Sequence, residues 1–309
     1  MSITEIRCKS DEEWVQRRKE AIGGSDAAAV IGMSPYKSPY ELWAEKRGMI
    51  EGFTGNTTTR VGQYLEDLVA TMWSEETGKK VRRKNAMLKN DLYPFAHANL
   101  DRVVVGEDAF LEIKTTNSVP IMRAIRKSTE FPEAYYAQVV HYMAVTGMKK
   151  AYLAVLVNCR ELYTYELERD EAEIAALMDA ERIFWSHVTN GTAPGVDGSE
   201  SCTEALRAIY PNSTGDKVDL WSCDSYLEQY TIIGRQIKEL KKLQDECANH
   251  VKEFMQEAGK GESGRFKVSY TTQERKTFDA KRFEAENKSM DLSDYYKISQ
   301  SRVFKVTEK

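Results

Sequence analysis

The sequence predicts an α/β protein, a mixed sheet with helices on its faces, extended at the C-terminus by one long helix and short strands. Three observations carry this. Through the first region the elements run helices, hairpin, helix, strand pair, helix, which is the order of a layered α/β architecture. MKKAYLAVLVN holds a nearly continuous apolar run, typical of a central strand buried on both faces. NGTAPGVDGSES, residues 190–201, is rich in Gly, Pro and Ser, and it separates a core over 1–195 from an extension over 196–309.

The elements follow in order. DEEWVQRRKEAI, residues 11–22, reads as a helix with Asp11 near its start and Trp14 and Val15 on one side. Gly23-Gly24-Ser25-Asp26 breaks it and supplies N-cap chemistry for a second helix through AAAVIG. Free N–H groups and the positive end of a helix there suit an anion, with Arg18 seven residues earlier within reach; an ordinary capped turn explains the same residues. In SPYKSPYELWAEKRG, Ser38 caps a helix, Pro39 fits its first turn and Gly48 ends it. Residues 57–77 place Val61, Tyr64, Leu65, Leu68 and Val69 at spacings of three and four, an amphipathic helix stopped by Gly78. Glu66 lies off that stripe and, on the residues alone, reads as solvated.

VVV and AFLEI then bracket Gly106-Glu107-Asp108, a tight hairpin turn. EFPEAYYAQVVHYMAVTG gives a helix with Tyr135, Val139, Tyr142 and Met143 at core-like spacing, and MKKAYLAVLVN and ELYTYELER are two further strands. A helix over about 170–189 closes the region. Beyond the boundary, apolar residues from Leu227 to Phe254 recur every three or four positions, so one long helix is expected over about 222–258, stopped by Gly259 and Gly261. Its stripe must bury against the first region or against another protomer. RFKVSYTT and SRVFKVT end the chain as strand-like pieces.

The chemistry concentrates in HANLDRVVVGEDAFLEIKTTN. Strand side chains alternate, so Glu112 and Lys114 share a face while Ile113 points to the opposite layer. For Asp101 to join them, cross-strand partners must have numbers with an odd sum, which without a bulge requires an even number of loop residues, such as two. Two carboxylates and a lysine on one face suit a hard divalent cation beside a lysine-polarised water, the means of cutting a phosphodiester. The same three residues on a solvated strand face are common in proteins without that role.

Composition bounds the rest. The chain has 309 residues, 41% hydrophobic and 30% charged, the balance of a soluble globular protein. No apolar run approaches the ~20 residues of a membrane helix. MSITEIRCKSDEEW has no apolar signal segment, so a cytoplasmic protein is expected. Five cysteines without a C-x-x-C pair exclude a cysteine zinc site or an iron–sulfur ligand set and read as reduced thiols. His97, His141, His187 and His250 lack metal-ligand spacing. A net charge of −4 argues against a protein that merely coats nucleic acid. Yet Lys79, Lys80, Arg82, Arg83, Lys84 and Lys89 form an acid-free basic stretch, and Arg123, Arg126 and Lys127 follow Lys114. A basic groove on an acidic body suits an enzyme that holds DNA and moves along it; solvated side chains on loops and edge strands are the alternative.

In that order, IGGSDAAAVIGMSPYKSPYELWAEKRG, the Gly62/Glu66 helix, LDRVVVGEDAFLEIKTT and YYAQVVHYMAVTG resemble the YqaJ-like viral recombinase family over roughly residues 10–190. These are lambda-type phage alkaline exonucleases within the PD-(D/E)XK nucleases, so the resemblance implies a restriction-endonuclease-like core. The tail, with GESGRFKVSYTTQERKTFD and SQSRVFKVTEK, is similar to that of longer members. The resemblance implies that Asp101 and Glu112 bind metal, with the Ile113 carbonyl adding an oxygen. It further implies that Lys114 is the catalytic lysine, Glu66 the helix-borne acid and Gln138 the glutamine of the following motif. Tyr135 stands where relatives carry an aromatic residue. Arg18 and Ser25 keep the spacing of the pair that holds a terminal 5′-phosphate. One departure is Asn99-Leu100-Asp101, where the family pattern has Pro-Asp.

The implied activity is a Mg2+-dependent 5′-to-3′ exonuclease of double-stranded DNA ends, with two ions, Mn2+ substituting, and 3′ single-stranded tails as product. A trimeric ring and a single-strand annealing partner in phage recombination are implied with it. Lys114, partly desolvated beside the metal, is expected to have a lowered pKa. Two other readings stay open. Another PD-(D/E)XK nuclease, structure-specific or CRISPR-associated, is disfavoured by the missing iron–sulfur cysteines. A non-catalytic DNA-end-binding ring protein is disfavoured by the intact Asp101, Glu112 and Lys114.

Overall fold

In the computed structural model, which describes residues 2–288, 290–297 and 299–308, the chain divides into Met1–Tyr210 and Pro211–Lys309. The first unit opens with β1 (Ile3–Ile6) and α1 (Asp11–Lys19), where Ser10 caps the helix by accepting the Glu13 N–H. A two-residue strand, β2 (Ile22–Gly23), runs straight into α2 (Gly24–Val30). α1 therefore stops short of residue 22: Ile22 and Gly23 pair in parallel with Ala96 and His97 instead of continuing the helix. α3 (Pro39–Lys46) begins as its sequence dictates, with Ser38 accepting the Glu41 N–H at 3.1 Å and Pro39 in the first turn. α4 (Thr57–Thr77) ends at Gly78, whose φ of 73° is left-handed and cheap for glycine alone.

Next come β3 (Val81–Arg83), β4 (Met87–Asn90), β5 (Ala96–Ala98), β6 (Arg102–Val104) and β7 (Ala109–Thr116). After α5 (Val119–Lys127) and α6 (Glu133–Thr146), β8 (Lys150–Val157), β9 (Glu161–Glu168), α7 (Glu171–Asn190) and α8 (Glu200–Ile209) complete the unit. One sheet has the order β1-β4-β5-β2 and the other β3-β6-β7-β8-β9. In the second sheet β7 and β8 are parallel from Ala109↔Lys150 to Thr116↔Val157, and the remaining neighbours are antiparallel, so the sheet is mixed as expected. α4 covers one face, packing Val69 and Trp73 on Leu111 and Ile113. α6 covers the other, packing Val139, Tyr142 and Met143 with Phe110. β7 thus sends alternate side chains into different layers, which is what allows an apolar strand to carry charge on one of them.

α6 is buried along most of its length because it also meets α2, α7 and the first sheet. Its interior position brings His141 into a fully buried pair: Nδ1 lies 2.7 Å from Glu181 and Nε2 lies 2.9 Å from the His97 carbonyl. Burial pushes the His141 imidazole down, and the Glu181 carboxylate more than offsets it. His97, buried without such a partner, is pushed down to about 3. Two of the histidines that look scattered in sequence, His97 and His141, are therefore joined in space, as part of a strut between α6, α7 and β5.

The boundary expected at 195/196 falls inside the first unit. α8 packs Cys202 and Ala205 against Tyr40, Leu42 and Trp43, and Ser201 accepts the Ser38 N–H at 2.7 Å. The division comes instead after Tyr210. The second unit contains α9 (Asp224–Met255), the antiparallel hairpin β10 (Lys260–Glu262) and β11 (Lys267–Ser269), and α10 (Ala280–Glu286). RFKVSYTT forms only the short β11, and among the described residues SRVFKVT forms no strand. No described helix is long and apolar enough to cross a membrane.

One close approach fixes how α2 sits on α6: a Cβ on Gly24 would lie 2.3 Å from the Tyr142 ring. Gly24→Ala should therefore destabilise the protein by about 1–3 kcal/mol, as over-packing does. Denaturant unfolding measures this, and an unchanged midpoint would show that α2 can retreat from Tyr142 at no cost.

Candidate active site

The β6/β7 ladder stops early. Val103↔Phe110 and Arg102↔Leu111 are paired, and the next rung is replaced by a side chain: Asp101 Oδ2 accepts the Ile113 N–H at 2.8 Å. These partners have odd sums, so Asp101 stands opposite Glu112 and on its face. The loop between the strands is residues 105–108, four rather than two, with Gly106 at a φ of 86°. The parity inferred from sequence is thus the one observed. A strand residue directs its N–H and C=O toward the same neighbour, so the Ile113 carbonyl faces the gap that Asp101 spans.

Glu112 is 2% exposed and its two oxygens differ. Oε1 receives Lys114 Nζ at 2.7 Å and Gln138 Nε2 at 2.7 Å. Oε2 is buried with no hydrogen-bond partner. Burial raises the Asp101 carboxyl well above its usual range, and the Glu112 charge adds to that. Burial also raises Glu112, Lys114 opposes this, and Glu66 contributes in the same direction as burial. Two desolvated carboxylates with one oxygen unpaired lack positive charge, and a hard divalent cation with oxygen ligands would supply it. The residues present fit such an ion as a pair plus a carbonyl: among the described residues no three His, Cys, Asp or Glu side chains converge as a ligand cluster.

Lys114 departs from expectation. Burial pushes its ammonium down, but Glu112 and Asp101 more than offset that and hold it above the usual lysine value. That balance is the one of the metal-free site, where the two carboxylates hold the charge of Lys114. Glu66 reaches the centre from the α4 layer, where it pairs with the buried Arg102. Arg102 also donates to Asp67 at 2.6 Å and to the Asp101 carbonyl at 2.6 Å, tying the helix to the strand end. Sequence reasoning passed over Arg102; its adjacency to Asp101 was the available signal.

Arg18 and Ser25 meet: the guanidinium donates to the Ser25 hydroxyl at 3.2 Å and lies 4.6 Å from the Trp14 ring centroid. Tyr135, grouped with them by sequence, stands at the carboxylate centre, its ring 5.9 Å from Lys114 Nζ. The corner carrying Arg18 and Ser25 is held by Lys46, a second residue that sequence reasoning missed. Its ammonium donates to the carbonyls of Arg18 and Ala21, each at 2.8 Å, and pairs with Asp26 at 2.7 Å. Burial pushes the Asp26 carboxyl up, and Lys46 more than offsets it. Asp26 in turn accepts the Gly23 N–H at 3.1 Å. Tyr142 joins the two regions, its ring against Gly24 and its hydroxyl accepting Gln138 Nε2 at 3.1 Å.

The basic stretch is not a bare cationic groove. Lys79 pairs with Glu107, Arg83 with Asp67, Lys84 with Glu5, and Arg126 with Glu161. These cations are partly neutralised; of the basic stretch, Arg82 and Arg83 stand on β3, an edge strand, and Lys89 stands on β4.

A family model described as the YqaJ-like viral recombinase domain matches residues 13–149. The uncharacterized protein YqaJ of Bacillus subtilis (strain 168) is 38% identical over 267 residues, covering 84% of this chain and 83% of that protein. Among solved structures, an alkaline exonuclease from Laribacter hongkongensis superposes with a TM-score of 0.50 at 21% identity, covering 59% of this chain and 94% of that one. The same exonuclease in complex with dAMP gives a TM-score of 0.51 at 21% identity, with the same coverage. At that identity the likeness is one of fold.

Two outcomes follow from the electrostatics. Removing one partner of a buried ion pair strands the other, so Lys46→Met should cost about 3–5 kcal/mol and Lys46→Met with Asp26→Asn distinctly less. A double-mutant cycle by denaturant unfolding reads this, and additive losses would remove the pairing argument. Asp101 and Glu112 have raised folded pKa values, so their contribution is present at low pH and fades as pH rises through those values. Metal-free wild type should therefore lose thermal stability relative to Asp101→Asn as pH climbs from about 5 to about 8. The Tm gap should reach a few degrees, the response to about 1 kcal/mol in a domain of this size. A gap independent of pH would mean that the carboxylates are not burdened by burial.

Proposed function

The chain belongs to the YqaJ-like viral recombinase family and has its restriction-endonuclease-like α/β core, and we propose that it is a divalent-metal-dependent exonuclease of double-stranded DNA ends. The observation that supports this best is the half-buried Asp101 beside the buried Glu112, with Lys114 on the same face and Glu112 Oε2 left without a partner. Polarity is read as 5′ to 3′, leaving 3′ single-stranded tails suited to a single-strand annealing partner. The working form is read as a ring of three copies in the cytoplasm of a cell carrying the phage or prophage.

In this reading Asp101, Glu112 and the Ile113 carbonyl hold Mg2+, with Mn2+ as a substitute and room for two ions once substrate phosphate adds oxygens. The bound ion supplies positive charge against the scissile phosphate and acidifies water. Lys114, whose ammonium lies 2.7 Å from Glu112 Oε1, would orient the attacking water and offset charge on the phosphate. Gln138 holds Glu112 Oε1, so Oε2, which has no partner, would be free to bind the ion. Glu66 adds negative charge from the α4 side, and Tyr135 flanks Lys114 against a nucleotide. Arg18 and Ser25 bind the terminal 5′-phosphate, with Gly24 and Ser25 presenting backbone N–H groups beside them.

Glu112→Gln and Lys114→Ala should each lower digestion of linear duplex by at least about a hundredfold, the scale of a lost acid–base or electrostatic contribution, while end binding persists. Wild-type rates in Lys114→Ala would end its assigned role. Arg18→Ala should slow digestion of 5′-phosphorylated ends by about ten- to a hundredfold and of 5′-hydroxyl ends far less, the value of one charge-assisted contact. Duplex labelled at either end, with and without 5′-phosphate, reads both preference and direction; equal losses on the two ends would remove the phosphate sensor.

A further inference from the structure

The 32-residue α9 carries an apolar seam that the structure leaves largely open. From Tyr226 to Phe254 its residues fall at alternating steps of four and three. Tyr230, Ile237, Gln244 and Val251 form one column, and Tyr226, Ile233, Leu240, Cys247 and Phe254 form the other. These are the a and d positions of four unbroken heptads. The seven large apolar side chains among them are between 45% and 91% exposed. Within the second unit, Phe304 touches the seam, its ring centroid 5.4 Å from that of Tyr230 in an edge-on arrangement, and is itself 71% exposed.

The width of the stripe says what it is built to meet. A helix laid on a globular core shows a third apolar column, whereas a two-column seam with a 3.5-residue repeat is the mark of helix pairing. Here one flanking column is Leu227, Gly234, Lys241 and Ala248, and the other is Gln229, Gln236, Leu243 and His250. Only Leu227 and Leu243 among them are large and apolar.

We infer that α9 forms a parallel, in-register coiled coil with α9 of a second copy of this chain. Three features favour a second copy. The flanking columns hold one fixed charge, Lys241, so a different partner selected by flank charges has no code to read and self-pairing meets no repulsion. Gln244, alone polar among the large seam residues, is self-complementary: each amide donates and accepts, so two of them satisfy each other when aligned. An antiparallel arrangement that pairs a with d columns sets Gln244 against Leu240 and leaves the amide unmatched. Nine seam side chains at roughly 100 Å² apiece also give about 900 Å² per copy, the scale of a specific interface. The inference is independent of the nuclease reading, and the pairing is a contact between copies additional to those of the proposed ring of three.

Cys247 reports the register. In the full-length chain with Cys8, Cys159 and Cys223 changed to Ser, it is the remaining thiol outside the core, since Cys202 is fully buried. Treatment with a short bismaleimide should give a covalent dimer that disappears in Cys247→Ser and falls at least tenfold in Leu240→Asp. Leu240 is exposed, so circular dichroism should show α9 intact in that variant. Light scattering on the untreated parent should show a species larger than the monomer that Leu240→Asp reduces in mass. A Cys247 dimer insensitive to Leu240→Asp, or no dimer at tens of micromolar protein, overturns the proposal. Assembly that depends on Leu240 without a Cys247 cross-link overturns the parallel register.

Discussion

Asp101 and Glu112 are two acids placed side by side, one half-buried and one fully buried, and much of the first unit is arranged around that cost. Glu112 Oε1 is met by an ammonium and an amide, and Asp101 by a backbone N–H. Glu66, a third acid near enough to raise both, is drawn toward Arg102. What is left over is a specific deficit: negative charge on one face and one oxygen with nothing to accept. A deficit of this kind selects a small, hard cation and disfavours a large or soft one.

The second region depends on the first through a short chain of contacts. Gln138 holds Glu112, Tyr142 receives Gln138, and the Tyr142 ring meets Gly24 at the turn that carries Ser25. On the other side of that turn, Lys46 pins the carbonyls of Arg18 and Ala21. The distance between the carboxylates and the Arg18–Ser25 pair is therefore set by packed side chains on α6 and α3, and not by a flexible loop. Measuring from an end to a cutting point needs that kind of stiffness.

The sequence was most legible where local rules and burial agree. Ser38-Pro39 and Gly78 marked helix ends by cap chemistry, the apolar run before Asn158 marked a central strand, and the register that would set Asp101 beside Glu112 could be stated as a condition, which the β6/β7 pairing meets. It was least legible where a contact reaches across the chain. β2 exists because Ala96 and His97 are there to pair with it, α8 belongs to the first unit because α3 receives Cys202, and the His141–Glu181 strut joins residues forty positions apart. The electrostatics of Lys114 in the metal-free site depend on space in the same way. Desolvation alone lowers an ammonium, and only the spatial sum over Glu112 and Asp101 reverses the sign. SRVFKVT shows the opposite failure, a strand-like pattern with no neighbouring edge to complete it.

β7 is held very differently along its two sides. Toward β8 it is zipped from Ala109 to Thr116, while toward β6 the ladder ends after Leu111. Glu112, Ile113 and Lys114 therefore ride on a rail clamped along one edge and unlaced along the other. On the proposed function, a phosphate backbone would approach along that unlaced edge, where the Asp101 carboxylate takes up the Ile113 N–H.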